Sequence, residues 1–415
     1  MSSQVVEVST RKIEPVKGTR VIHVVHLIEA LGPGGAERLL FTNLKHFDPH
    51  RIRSTVITVY PNATHWLEPI TALGVPVFSL NCASMRNIPT GIRKLRTWLL
   101  ANQPSLIHSH LWAANIISRV AGRLTHIPVI SSIHNPDHEA EAWADGAEVS
   151  VLKRRIVHAL DRWTARAGND RLIAVSDYVK KSANRHLGVS LDSIDLVYNP
   201  IDIDYLQETP AASRAQLLRS LGLPPDSLIL LNVARVSPQK GLLYAVRALP
   251  TILQHYRSAH LVSVGATTDP AWLEQLQQEA KILNVTDHVH LLGSRRDVID
   301  FLRACDVFIF PSLYEGLGIA LIEAMAVGCA CVATSAGPIP EVVRDGEDGI
   351  LVPPADPEAI AQAVCRLLAD KSLCARLGDA ATKSAFSRFQ PQKSADTLTR
   401  IYESVVVAKQ RKSRK

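Results

Sequence analysis

The most constraining feature of this chain is an alternation that runs along its length and then restarts. Short β-branched apolar runs are each followed by a segment whose apolar residues recur at helical spacing. A short apolar run suits a strand buried on both faces, and an amphipathic segment suits a helix crossing over one of them. The pattern therefore predicts parallel strands joined by crossover helices. The first series is VIHVVHLI (21–28), STVITVY (54–60), VPVFSL (75–80), SLIHSH (105–110), PVISSIH (128–134), RLIAVS (171–176) and IDLVYN (194–199). The second is LILLNVARV (228–236), HLVSVG (260–265), VHLLG (289–293), VFIFPS (307–312), CACVAT (329–334) and GILVP (349–353). Between them the Pro-containing stretch 198–213 reads as a linker, and 415 residues are enough for two cores. The expected fold class is α/β, with two doubly wound Rossmann-like domains facing across a cleft. Residues 1–19 are expected to be a flexible arm, 20–200 a first domain and 201–391 a second. Residues 392–415 are expected to form a helix that packs back on the first domain and ends in a basic tail.

Composition narrows the classes. No run approaches the ~18 consecutive apolar residues a bilayer span needs, and the first twenty residues lack the apolar core of a secretory signal, so a cytoplasmic protein is expected. The six cysteines show no CxxC pairing and read as reduced, mostly buried thiols. Residues 1–200 carry the whole formal excess of +7, apart from a second half that is neutral yet ends in KQRKSRK. Such a surface favours an anionic ligand or an anionic membrane face. No arginine stripe interleaved with aromatics is present, and nucleic acid is not an expected partner.

Three windows carry candidate chemistry. In FIFPSLYEGLGIALIEAMAVG (308–328) a strand ends in a Gly-containing turn, and a helix is expected to open near Leu317. Backbone amides around Gly316, Leu317 and Gly318 would then converge where phosphate binds well. Glu315 precedes that helix and Glu323 lies inside it, two carboxylates suited to hydroxyl-rich ends of one extended ligand. In LILLNVARVSPQKGLL, Arg235 and Lys240 bring fixed positive charge to the end of a strand, which is what a departing diphosphate requires. In HLIEALGPGGAERLLF, Gly34 and Gly35 lie between the first strand and first helix, but the spacing fails the dinucleotide fingerprint G-x-G-x-x-G.

These windows, with SSIHN (131–135), YNPID (198–202) and DGEDGILVPPAD (345–356), resemble the retaining glycosyltransferases of family 4, glycosyl transferases group 1, which have the GT-B fold. The resemblance runs from about residue 20 to 405. It implies transfer of a sugar from a nucleotide donor to an acceptor hydroxyl with retention of anomeric configuration, in cell-surface polysaccharide or glycolipid biosynthesis. It assigns Arg235 and Lys240 to the donor diphosphate, Glu323 to the ribose and Glu315 to the donor sugar. Gly316, Leu317 and Gly318 fall to sugar or phosphate oxygens, Gly34 and Gly35 to the loop facing the diphosphate, and His134 to the transferred sugar. His108 and His110 read as structural. No cofactor and no metal is required. The Asp202-x-Asp204 triplet, a metal signature of the other glycosyltransferase fold class, falls in the linker and reads as incidental. The donor expected first is a UDP-sugar and second a GDP-sugar.

The acceptor is expected to be a sugar or a lipid-linked sugar held by the first domain. The segment 87–103 sets Arg93, Lys94 and Arg96 beside Ile92, Leu95, Trp98 and Leu99, so it reads either as a helix lying on an anionic membrane or as an ordinary crossover helix with a solvated basic edge. The segment 151–167 carries the same ambiguity. The rival functions are a sugar-nucleotide epimerase of the same architecture and a non-catalytic nucleotide-sugar-binding protein.

Overall fold

The computed structural model describes residues 6–7, 21–61, 65–139, 151–208, 212–267 and 269–413, grouped in two compact units. The arm expected over 1–19 lies outside the described residues apart from Val6 and Glu7, as do Arg414 and Lys415 of the tail.

The first unit is an eight-stranded parallel sheet of β1 (Val6–Glu7), β2 (Ile22–Ile28), β3 (Ile52–Thr58), β4 (Val77–Ser79), β5 (Leu106–His110), β6 (Val129–Ile133), β7 (Arg171–Ala174) and β8 (Ile194–Leu196). Its order is β1-β4-β3-β2-β5-β6-β7-β8. Among its helices are α1 (Gly35–His46), α2 (Ile88–Asn102), α3 (Trp112–Thr125) and α4 (Val151–Gly168). Successive side chains of a strand point to opposite faces, so β2 feeds two cores. Val24 and Ile28 pack with Leu40 and Leu44 of α1, whereas Val25 and Leu27 pack with Leu95, Trp98 and Leu99 of α2 and Ile117 of α3. Most apolar residues of segment 87–103 are thus spent on the core, while Leu100 stays 45% exposed. Lys94 Nζ is tied to the Leu80 carbonyl at 2.8 Å, and α2 is a crossover helix.

The second unit is a six-stranded parallel sheet of β9 (Leu228–Val233), β10 (Ala259–Val264), β11 (Val289–Leu291), β12 (Val307–Phe310), β13 (Cys331–Thr334) and β14 (Ile350–Val352), in the order β11-β10-β9-β12-β13-β14. It includes α5 (Leu242–His255) and α6 (Ile319–Ala326). After it the chain returns to the first unit as α7 (Pro391–Ser413), whose Leu398, Tyr402 and Val405 join the core around Val24 and Ile28. The linker holds a short helix, Ile203–Glu208, and Asp202 Oδ1 accepts the Tyr205 amide at its start, which gives that residue a structural task. All six cysteines are free thiols.

Each sheet reverses its strand order at one place, between β2 and β5 in the first unit and between β9 and β12 in the second. The connections leave in opposite directions there, and the crevice beyond the strands' carboxyl ends is where open α/β sheets bind ligands.

Candidate functional site

In the second unit the loops after β9 and β12 meet at the reversal point. Gly241, between Lys240 and α5, sits at φ +62, and a Cβ there would lie 1.9 Å from the Pro311 carbonyl oxygen. Only glycine lets the two loops approach so closely. The approach is fastened by the Leu313 amide donating to the Gln239 carbonyl at 2.8 Å and Gln239 Nε2 donating to the Tyr314 carbonyl at 3.1 Å. Lys240 Nζ is thereby placed 2.6 Å from Glu315 Oε1, and Ser312 Oγ donates to the same carboxylate oxygen at 2.8 Å. The two charged side chains are only 14% and 7% exposed. Sequence reasoning named both ends of this pair without foreseeing that they touch, and it missed Ser312, which stands three residues before Glu315 in the same strand-end turn.

Arg235 follows β9 and is exposed, with no carboxylate partner among the described residues. It therefore presents a guanidinium available to an anion. Gly316, Leu317 and Gly318 are all buried, and Gly318 takes φ +91. That left-handed residue delays the helix: α6 opens at Ile319 and not near Leu317, with no side chain capping its N-terminus. Glu323 is in its second turn and 5% exposed. A carboxylate so placed needs polar company.

In the first unit His134 follows β6 and is half-buried. Its Nε2 lies 3.2 Å from His110 Nδ1. Burial lowers its pKa to about 4, so it is neutral at pH 7, and the contact with His110 occupies its Nε2. His108 and His110 alternate on β5, with His26 beside them on β2 in register with His108. The ligand atoms of His26, His108 and His110 lie within 4.8 Å of one another, the spacing of a group that could hold a metal. Both ring nitrogens of His108 are already engaged, however, with Tyr402 OH at 2.7 Å and Ser132 Oγ at 2.8 Å. The group reads as a buried neutral cluster that backs His134 through His110, with His26 Nδ1 and His110 Nε2 lacking a hydrogen-bond partner among the described residues. Its signal in the sequence was the H-x-H of β5.

Gly34 is extended at φ −96, so it needs no left-handed freedom. What it supplies is space: the Glu37 carboxylate folds over it, and a Cβ at 34 would lie 2.2 Å from Glu37 Oε2. Gly35 opens α1 without a side-chain cap.

Comparison with known proteins gives a consistent picture. Residues 33–205 match the profile of Glycosyltransferase Family 4, and residues 213–384 that of Glycosyl transferases group 1. The D-inositol 3-phosphate glycosyltransferase of Streptomyces bingchenggensis is 31% identical over 311 residues, spanning 72% of this chain and 66% of that protein. The enzyme of the same name from Xylanimonas cellulosilytica is 28% identical over 400 residues, spanning 92% of this chain and 90% of its own. The crystal structure of Anabaena HepE in complex with UDP-glucose matches with a TM-score of 0.78 at 21% identity, covering 92% of this chain and 100% of the other. That likeness is one of fold, the two Rossmann-like domains of the GT-B type.

Proposed function

Taking as premise that this chain belongs to the group 1 glycosyltransferases of the GT-B fold, we propose that it transfers a hexosyl group from a nucleoside diphosphate sugar to an acceptor hydroxyl with retention of configuration. The observation that carries the reading is the Lys240–Glu315 pair at the reversal point of the second sheet, with Arg235 on the same loop after β9 and without a carboxylate partner among the described residues. Lys240 and Arg235 oppose the charge that builds on the diphosphate as the anomeric carbon–oxygen bond breaks. Glu315 takes hydroxyls of the donor sugar, Glu323 takes the ribose, and the amides of Gly316, Leu317 and Gly318 take sugar or phosphate oxygens. Gly34 and Gly35 form the loop that faces the diphosphate. His134, neutral at pH 7, hydrogen-bonds the transferred sugar without adding positive charge beside an oxocarbenium-like carbon.

The new bond forms on the face the leaving group vacates, and the acceptor's proton passes to a phosphate oxygen of the departing diphosphate. Arginine, lysine and backbone amides already supply the charge stabilisation this needs, so the reading calls for no cofactor and no metal. UDP is the first nucleotide to test, since the HepE structure contains UDP-glucose, and GDP the second. The acceptor we propose is a sugar or lipid-linked sugar of cell-surface polysaccharide or glycolipid assembly, met at the membrane's inner face, which suits the positive first half of the chain.

A donor screen scored by nucleoside diphosphate release, followed by NMR of the product's anomeric proton, tests the reading. Release with retained configuration is expected. An isomerised nucleotide sugar without release would make the protein an epimerase, and tight binding without turnover would make it a binding protein.

A further inference from the structure

Helix α4 is apolar on part of its outer face. Its inward side carries Asp161, Thr164 and Ala165, all buried. Asp161 is paired with Arg119 at 2.5 Å and with His138 Nε2 at 2.9 Å. Its outward side carries Ile156, 59% exposed, and Trp163, 63% exposed. Seven residues apart, these two stand on one ridge two turns from each other, with exposed Ala159 between them. Exposed Arg155 and Arg162 lie along one side of the ridge, while Arg166 Nε donates to the Gly188 carbonyl at 3.0 Å. Asp161 is the only acidic residue in Val151–Gly168, and it is buried, so the helix itself offers no counter-charge to this outer face.

An exposed Trp and Ile flanked by cations is the surface composition that partitions into the headgroup boundary of a negatively charged bilayer. The contrast with α2 sharpens the assignment, because there Leu95, Trp98 and Leu99 are all in the core. We propose that the outer face of α4 docks this protein on an anionic membrane. Ile156 and Trp163 enter the boundary between headgroups and acyl chains, and Arg155 and Arg162 face lipid phosphates. The inference is independent of the transfer chemistry, and its test uses no nucleotide sugar.

The full chain is sedimented with vesicles of one part phosphatidylglycerol to two parts phosphatidylcholine, and with phosphatidylcholine alone, at low ionic strength. Binding is expected only to the anionic vesicles, with quenching of tryptophan fluorescence by brominated acyl chains that disappears in Trp163→Phe. Ile156→Ser with Trp163→Ser is expected to weaken binding at least tenfold. Arg155→Ser and Arg162→Ser are each expected to cost about fivefold, as about 1 kcal/mol per basic residue implies. These side chains are exposed, so thermal midpoints should match the parent and exclude misfolding as the cause. Absence of anionic-vesicle binding by the parent overturns the proposal. So does binding that survives the Ile156 and Trp163 double change, or that is lost when Lys409, Arg411 and Lys412 of α7 are replaced instead. A dimer in solution that dissociates in the double variant, without vesicle binding, would assign the ridge to a second copy of the chain.

Discussion

Replacing Lys240 by Met keeps the length of the side chain and removes its charge, which isolates the ion pair with Glu315. At 2.6 Å with both side chains largely buried, the gross attraction is about 6 kcal/mol at an effective dielectric of about 20. Desolvation of both ions offsets most of it, and about 2 kcal/mol of net coupling is expected. Lys240→Met leaves the Glu315 carboxylate buried with only the Ser312 hydroxyl, and should cost about 3 kcal/mol of stability. Glu315→Gln keeps an acceptor for Ser312 and should cost less, about 1 kcal/mol. The double variant should then be about 2 kcal/mol more stable than the sum of the single changes implies. In nucleoside diphosphate release, Lys240→Met should lower kcat by about 100-fold to 1,000-fold, the usual cost of losing one fixed group that stabilises transition-state charge. Urea unfolding of the four proteins gives the cycle, and donor turnover gives the rate. A coupling below about 0.5 kcal/mol, or folded Lys240→Met turning over within threefold of the parent, would refute the reasoning.

Two further expectations concern stability. Burial lowers the pKa of His26 to about 3 and of His134 to about 4, and holds those of His108 and His110 well below 6.5. The unfolded chain therefore binds more protons below pH 6.5, and the stability these groups contribute, complete above that pH, is lost as pH falls from 6.5 toward 4. Each contributes up to about 1.4 kcal/mol per pH unit, so the thermal midpoint should drop steeply from pH 7 to pH 5 and less steeply in His26→Gln; a flat profile would contradict the neutral network. Gly241→Ala should destabilise by at least about 2 kcal/mol and impair turnover, because φ +62 and the nearby Pro311 carbonyl both exclude a side chain; an unchanged urea midpoint would show that the two loops are not held together as described.

Much of the fold was legible because strands and helices announce themselves locally. The apolar runs around Val24, Ile107, Leu230 and Phe308 each became a strand within three residues of the expected place, and Arg235, Lys240 and Glu315 were recognisable as residues at or after the ends of such runs. The helix, expected to open near Leu317, starts at Ile319 because Gly318 takes φ +91, a left-handed conformation the apolar pattern does not announce, in a place where a Cβ would crowd Phe310 and Ile339. The segment 87–103 and the segment 151–167 looked alike in charge and hydropathy. Only their rotation about the helix axis separates them, and that follows from what each rests on: Val25 and Leu27 demand apolar partners from α2, whereas buried Arg119 demands Asp161 from α4.

The sequence by itself thus determined the two series of parallel strands, the crossover helices and the residue types at the strand ends, since periodicity and turn chemistry act over a few neighbours. The tertiary structure alone decided that Lys240 meets Glu315 seventy-five residues away, that His110 backs His134, and that α4 turns its tryptophan outward. Each of those outcomes depends on which strands become neighbours and on the free energy of burying a particular charge, and neither quantity is written in any local stretch of the chain.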